Sequence, residues 1–199
     1  MLSYIACGSL IRSVCSIEVV THGNMLEHST YWIDFRKLHL AVVNRDVRAV
    51  QYVVAAAYSQ GLSHLLDIRD TQHGHTVLHL AVCVNRPSFV RLLVVAGASP
   101  NVRSRRGETP LLLACARRQP GCISSMMRPV DDSERQQLTN YCLDVGLPLD
   151  QLQSPPIYST PDTNLLDFNG TFSFHFQAYG AICQNTTPLS LNWFEPNLV

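Results

Sequence analysis

Apolar residues in this chain recur at helical spacing, in short bursts rather than long runs. Between positions 76 and 95 two bursts follow each other, first Leu78, Ala81 and Val82, then Phe89, Val90, Leu92, Leu93 and Val94. Residues three and four apart share one side of a helix, so each burst predicts a short helix with a single buried stripe. The residues between the bursts agree. Gly74 supplies a turn tip, and Thr76 offers a hydroxyl to cap the first helix. Asn85 tolerates the left-handed backbone that ends that helix, Pro87 opens the second, and Gly97 closes it.

The pattern returns after 33 residues: Gly74 falls on Gly107, Thr76 on Thr109, Leu78 on Leu111 and Ala81 on Ala114. A period of that length with a T-x-L-x-x-A core resembles the ankyrin repeat, a β-turn followed by two antiparallel helices. The resemblance implies that Thr76 also bonds His79 and that Ala98 to Asn101 form the closing turn. An earlier copy, Leu38, His39, Leu40 and Ala41, precedes Leu78 to Ala81 by 40 residues. The extra residues fall around Ala57 to Leu66, after the second helix, where they lengthen helix or loop without disturbing a stack. The third copy starts well at Gly107, Thr109, Pro110, Leu111 and Ala114 and then decays. Leu112 replaces the histidine and Arg118 the glycine, Ser124 and Ser125 occupy apolar positions, and Pro129 stops any helix.

Beyond the repeats, DDSERQQLTNYCLDVGL predicts one more helix with Leu138, Tyr141, Cys142 and Val145 on one side. QSPPIYSTPDT (153–163) reads as an extended, solvated linker, and Thr171 to Phe176 alternates like a β-strand. Tyr31, Trp32 and Ile33 are expected to pack against whatever follows them in the chain. The expected fold is all-α: a short ankyrin-repeat solenoid of about two and a half repeats with irregular N- and C-terminal extensions. Its parts are an extension over 1–35, repeats over 36–129, a candidate capping helix over 130–152, and a linker and tail over 153–199. Each unit hides its apolar side only against a neighbour, so such a stack sits near the minimum for independent stability.

Composition narrows the function classes. The 199 residues carry 15 basic and 15 acidic side chains, so no net field draws the chain toward nucleic acid or anionic lipid. Seven cysteines without C-x-x-C spacing read as reduced thiols of a cytosolic protein. No apolar run approaches the roughly 18 to 20 residues that cross a bilayer, and Arg12 breaks the apolar start, so neither a membrane span nor a cleaved signal is expected. The sequons at Asn169 and Asn185 would matter only after secretion. No nucleophile motif, phosphate loop or paired carboxylate set appears, so no catalytic residue is assigned and the chain is read as non-enzymatic.

Two clusters carry candidate chemistry. His73, His75, His79 and Cys83 form H-x-H-x3-H-x3-C, residue types that ligate zinc. The structural reading is preferred: His79, with its counterpart His39, belongs to the helix pair, and His73 and His75 lie at the turn tip facing elsewhere. No metal and no cofactor are therefore expected. Arg103, Arg105 and Arg106 crowd the next tip, with Arg117 and Arg118 one helix later. They suit an acidic protein surface, and without interleaved aromatics they give no reading for nucleic acid.

The expanded first unit, the LLDIRDTQHGHTVLHLAV junction and the VNRPSFVRLLVVAGASPNVRSRRGETPLLLACA run together resemble the NF-κB inhibitor family, most of all its insect Cactus type. The likeness spans Leu38 to Arg118. It implies a cytoplasmic protein of Toll-pathway signalling in innate immunity, monomeric when free. Its partner would be a Rel-type, Dorsal-like transcription factor whose basic nuclear-localisation segment the first repeats mask. The contacts so implied are Asp46, then Asp67, Arg69, Asp70, His73 and His75 at one turn, and Arg103, Arg105 and Arg106 at the next. The aspartates would meet the basic peptide and the arginines an acidic surface. The chain departs from the family in having fewer repeats and no Asp-Ser-Gly triplet before them, as a truncated or divergent form would. The alternative is a generic ankyrin adaptor, or a truncated form without Rel binding.

Overall fold

The computed structural model describes residues 35–149, 152 and 158–163. The expectations for Tyr31 to Ile33, for the sequons and for Thr171 to Phe176 lie outside these residues. Among the described residues each apolar burst becomes a helix. α1 (Phe35–Val43) pairs with α2 (Val47–Ser59), α3 (Val77–Cys83) with α4 (Pro87–Val95), and α5 (Pro110–Ala116) with α6 (Pro120–Met127). A further helix, α7 (Asp132–Asp144), comes after them. The first helices of the pairs, α1, α3 and α5, pack side by side in one layer, and the second helices, α2, α4 and α6, form another. This two-layer stack is the expected all-α solenoid.

A single core unites the units: Leu78, Ala81, Leu92 and Leu111 are all buried in it, together with Val42, Val50 and Ile123. A fully buried leucine contributes roughly 1.5 to 3 kcal/mol by leaving water, and here the shielding surface comes largely from the next unit. At the turn between the two helices of every pair one residue adopts a left-handed backbone: Arg45 (φ 59°), Asn85 (φ 53°) and Arg118 (φ 55°). The turn geometry is thus kept where the preferred residue is missing. The free carbonyls at the end of α3 are met from both neighbouring units, by Arg45 Nη2 on Val84 O (3.5 Å) and Arg117 Nη1 on Cys83 O (3.2 Å).

The first unit absorbs its insertion as expected: α2 runs 13 residues against 9 in α4, and a 3-10 turn, Ser63–Asp67, takes up the remainder. The third unit goes further than the sequence reading. Instead of decaying after Ala114 it closes with α6, because Pro120 starts a helix and Cys122, Ile123 and Met126 fill the buried side. Ser125 is buried too, with its carbonyl oxygen accepting a bond from Arg91.

That arginine organises the chain beyond the stack. Arg91 projects from α4 and is fully buried, and all five of its N–H donors are used. Nε donates to Glu134 Oε1 (2.9 Å), and Nη1 donates to the carbonyls of Ser125 (3.1 Å) and Arg128 (2.7 Å). Nη2 donates to the carbonyl of Pro129 (2.6 Å) and to Glu134 Oε2. Glu134 is also paired with Arg128 and completes a capping box with Asp131 at the start of α7. These neighbours outweigh the desolvation of the Glu134 carboxyl and hold it below its ordinary range. The chain therefore reverses after α6, and α7 lies on the outer helices, with Cys142 Sγ 3.5 Å from the carbonyl oxygen of Ala55 in α2. Leu138 and Cys142 form the buried side of α7 and Tyr141 is half-buried, but Val145 is exposed, contrary to the helical-face expectation.

Residues 158–163 correct the solvated-linker reading. The Tyr158 hydroxyl donates to Met126 O (2.9 Å), Pro161 is buried, and Asn101 holds both Thr160 O (3.0 Å) and the Asp162 N–H (2.7 Å).

Candidate functional site

The edge to consider is the row of turn tips that precede the first helices. The second tip, 70–75, is a hairpin closed by the Asp70 N–H on His75 O (2.8 Å), and the third is closed by the Ser104 N–H on Glu108 O (2.9 Å). The tips are joined to each other by the Arg105 N–H on His73 O (2.9 Å). Gly74 makes that approach feasible. Its φ is +68°, and a Cβ there would stand 2.9 Å from Arg105 N.

Asp70 shapes the second tip. Its Oδ1 accepts the N–H groups of Gln72 (2.8 Å), His73 (2.6 Å) and Gly74 (3.1 Å), and Oδ2 accepts that of His75 (3.1 Å). Burial opposes ionisation of this carboxyl, but the backbone donors and His75 outweigh it and hold Asp70 below the usual carboxylate range. Asp67 behaves oppositely. It accepts the Ser99 N–H (2.8 Å), yet desolvation prevails over that bond and over His64, and its carboxyl is raised.

The capping arrangement at Thr76 is the one implied by the repeat resemblance. The Thr76 N–H donates to His79 Nδ1 (3.1 Å), and the Thr76 hydroxyl lies 2.9 Å from the same nitrogen. Nδ1 is therefore an acceptor, and the opposite nitrogen, Nε2–H, donates to Glu108 O (3.0 Å) in the next tip. Burial pushes the His79 imidazole down to about 4, so it is neutral at pH 7. The histidine links one unit to the next, and among the described residues no further tip follows α5 for a side chain at Leu112 to reach.

His73 and His75 do not face elsewhere, as the sequence reading had it. The His73 and His75 rings stack with centroids 5.3 Å apart, and His75 stacks on His79 at 5.3 Å as well. One ring nitrogen from each of His73 and His75 and one carboxylate oxygen of Asp70 lie within 4.8 Å of one another. The sequence cluster thus divides: His79 is spent on the repeat framework, Cys83 ends α3, and Asp70 takes their place beside the other two histidines.

Of the implied partner contacts, Asp67, Asp70, His73, His75 and Arg105 share the linked tips and the turn beside them. Arg69, Arg105 and Arg106 are exposed there and Arg103 is half-buried. Asp46 is not brought to this edge. It caps α2, accepting the Ala49 N–H (3.1 Å), in the turn at the other end of the first helices. Arg91 and Glu134 went unassigned in the sequence reading, although an arginine inside the apolar run PSFVRLLVV was the available signal. Among the described residues no disulfide joins Cys83, Cys115, Cys122 and Cys142, and burial pushes Cys122 up to about 12 and Cys142 to about 11, so neither of these two forms a nucleophilic thiolate near neutrality.

The stacked helix pairs, linked tips and forward-reaching histidine define an ankyrin-repeat array. Residues 62–114 match the family model for ankyrin repeats (many copies). Within that class the chain is 41% identical over 90 residues to the B-cell lymphoma 3 protein homolog of Mus musculus, covering 45% of this chain and 19% of that protein. It is 37% identical over 89 residues to NF-kappa-B inhibitor alpha of Sus scrofa, covering 45% and 26% respectively. The crystal structure of the ankyrin repeat domain of Bcl-3, described as a unique member of the IkappaB protein family, aligns with a TM-score of 0.49 at 31% identity, covering 74% of this chain and 51% of that one. The chain spans about a fifth to a quarter of the length of the curated relatives it matches. No helix of the described residues is long and apolar enough to cross a membrane.

Proposed function

We propose that the chain is a non-enzymatic protein-binding module of the NF-κB-inhibitor kind. It holds a Rel-type, Dorsal-like transcription factor in the cytoplasm by covering the nuclear-localisation segment. The observation that carries this reading is the 37% identity over 89 residues with a protein named as an NF-κB inhibitor. The tip edge suits such a role, since its backbone is fixed by Asp70 and by the Arg105 to His73 bond before any partner arrives. Arg69, Arg105 and Arg106 offer exposed charge to an acidic surface of the Rel protein. Asp67 and Asp70 would meet the basic segment only through lone pairs left over from their backbone bonds.

That engagement of the two aspartates favours a second reading, a generic ankyrin adaptor whose partner is recognised by the arginines alone. One titration separates the two. The full chain is mixed with a Rel-homology dimer that carries its nuclear-localisation segment, or lacks it, and binding is tracked by fluorescence anisotropy. Masking is expected to show as binding that weakens at least about tenfold when the segment is deleted, a loss of 1.4 kcal/mol. Equal binding to both dimers supports a Rel partner but overturns masking, and no binding to either leaves the adaptor reading.

A further inference from the structure

We propose that the second tip is a binding site for a divalent transition-metal ion of the zinc class, with His73, His75 and Asp70 as its protein ligands. The ligand atoms already converge, within 4.8 Å of one another. Coordination at about 2.0 to 2.2 Å from a common centre requires side-chain rotations that draw these atoms closer together.

Burial supplies the second and independent observation. His75 is only 9% exposed, and the Nδ1 atoms of both His73 and His75 are buried without a hydrogen-bond partner. A buried polar atom left unpaired is costly, and here two lie on neighbouring stacked rings. A bound cation removes both orphans at once, since each neutral imidazole presents a lone pair to the ion and its remaining N–H to solvent or protein. His79 cannot play this part, because both of its ring nitrogens are occupied by Thr76 and Glu108. Its contribution is to back the His75 ring by stacking.

Asp70 suits the third position. Three backbone donors occupy Oδ1, but Oδ2 accepts only the His75 N–H, and a carboxylate has about four acceptor sites. Backbone donors of this sort orient ligating carboxylates and histidines in metal centres. Gly74, between the two histidines, takes the left-handed backbone of the turn that brings their rings into stacking. Two imidazoles and one carboxylate select zinc, cobalt, nickel or copper over calcium and magnesium, and leave a coordination position open for water or a partner side chain. The inference rests on the tip alone and stands or falls independently of Rel binding.

The test uses the untagged full chain under reducing conditions, titrated with Co2+ as the spectroscopic probe and then with Zn2+ as competitor. One cobalt per chain is expected, with visible d–d bands, displacement by zinc and no thiolate-to-cobalt charge-transfer band. His73→Gln and His75→Gln should each weaken binding at least about tenfold while the helical circular dichroism is kept. Cys83→Ser should bind as the parent does. If His75→Gln fails to fold, the half-buried His73 carries the comparison. Absence of any bound cobalt or zinc, binding unchanged in the foldable histidine variants, or a charge-transfer band that vanishes in Cys83→Ser would each overturn the site.

Discussion

The two sides of this stack spend their polar groups in opposite ways. On the back, Arg91 and Glu134 close a network in which every N–H donor of the Arg91 guanidinium has a partner inside the protein. On the front, the tips satisfy their backbone through Asp70 and the Arg105 to His73 bond, yet leave the Nδ1 atoms of His73 and His75 unpaired and the side chains of Arg69, Arg105 and Arg106 in solvent. A saturated network fixes one chain path, whereas a rigid edge with unspent groups can bind. The difference separates what holds α7 in place from what meets a partner.

The largest effect is expected on the back. Arg91→Met leaves Glu134 buried without its main partner, and breaking such a pair costs about 3 to 5 kcal/mol. Urea denaturation should show the loss, and Arg91→Met combined with Glu134→Leu should recover much of it. A single-variant loss below about 1 kcal/mol would place the network with ordinary surface pairs.

Next comes the link between units. Folded His79 titrates near 4 against 6.5 for the free side chain, so below about pH 6.5 the unfolded chain takes up the proton first. The stability supplied by the neutral, buried imidazole is therefore intact above that pH and declines until about pH 4, by roughly 3 kcal/mol in all. Urea midpoints at intervals across this window should fall more steeply in the parent than in His79→Gln. Parallel curves would remove His79 as the cause.

Smaller effects belong to single backbone positions. Gly74→Ala forces a Cβ against Arg105 N at a left-handed φ and should cost about 1 to 2 kcal/mol, with faster amide exchange at Arg105. Arg118→Gly relieves a left-handed arginine at the turn of the third pair and should raise stability by about 0.5 to 1 kcal/mol, part of the gain being offset by a freer unfolded chain. Unchanged thermal melting of either variant would mean that these turns carry no strain.

The helix pairs were readable because periodicity is a local signal. Leu78, Ala81 and Val82 lie at spacings that a helix places on one side, as do Phe89, Leu92 and Leu93 in the next burst, and all of them share the core with Leu111. The closure of the third unit was harder to read. Ser124 and Ser125 weaken the apolar pattern, and what compensates is the Arg91 contact to the carbonyl of Ser125 from a residue 34 positions away. The path of α7 was hidden for the same reason, since the interaction of Arg91 with Glu134 spans 43 residues and no spacing rule announces it. Asp46 was ambiguous because an aspartate before a helix reads equally as a cap and as surface charge, and the structure shows that it caps α2. The tip histidines fall between these cases. Their presence was plain from the H-x-H spacing, but their mutual stacking depends on how Gly74 turns the chain.

Amide hydrogen exchange on the full chain, alone and with a Rel-homology dimer carrying its nuclear-localisation segment, tests the division between binding front and holding back most directly. Slowed exchange across 70–75 and 103–108, with α7 unchanged, is the expected result. Protection concentrated on α7 while the tips exchange as in the free chain would contradict it.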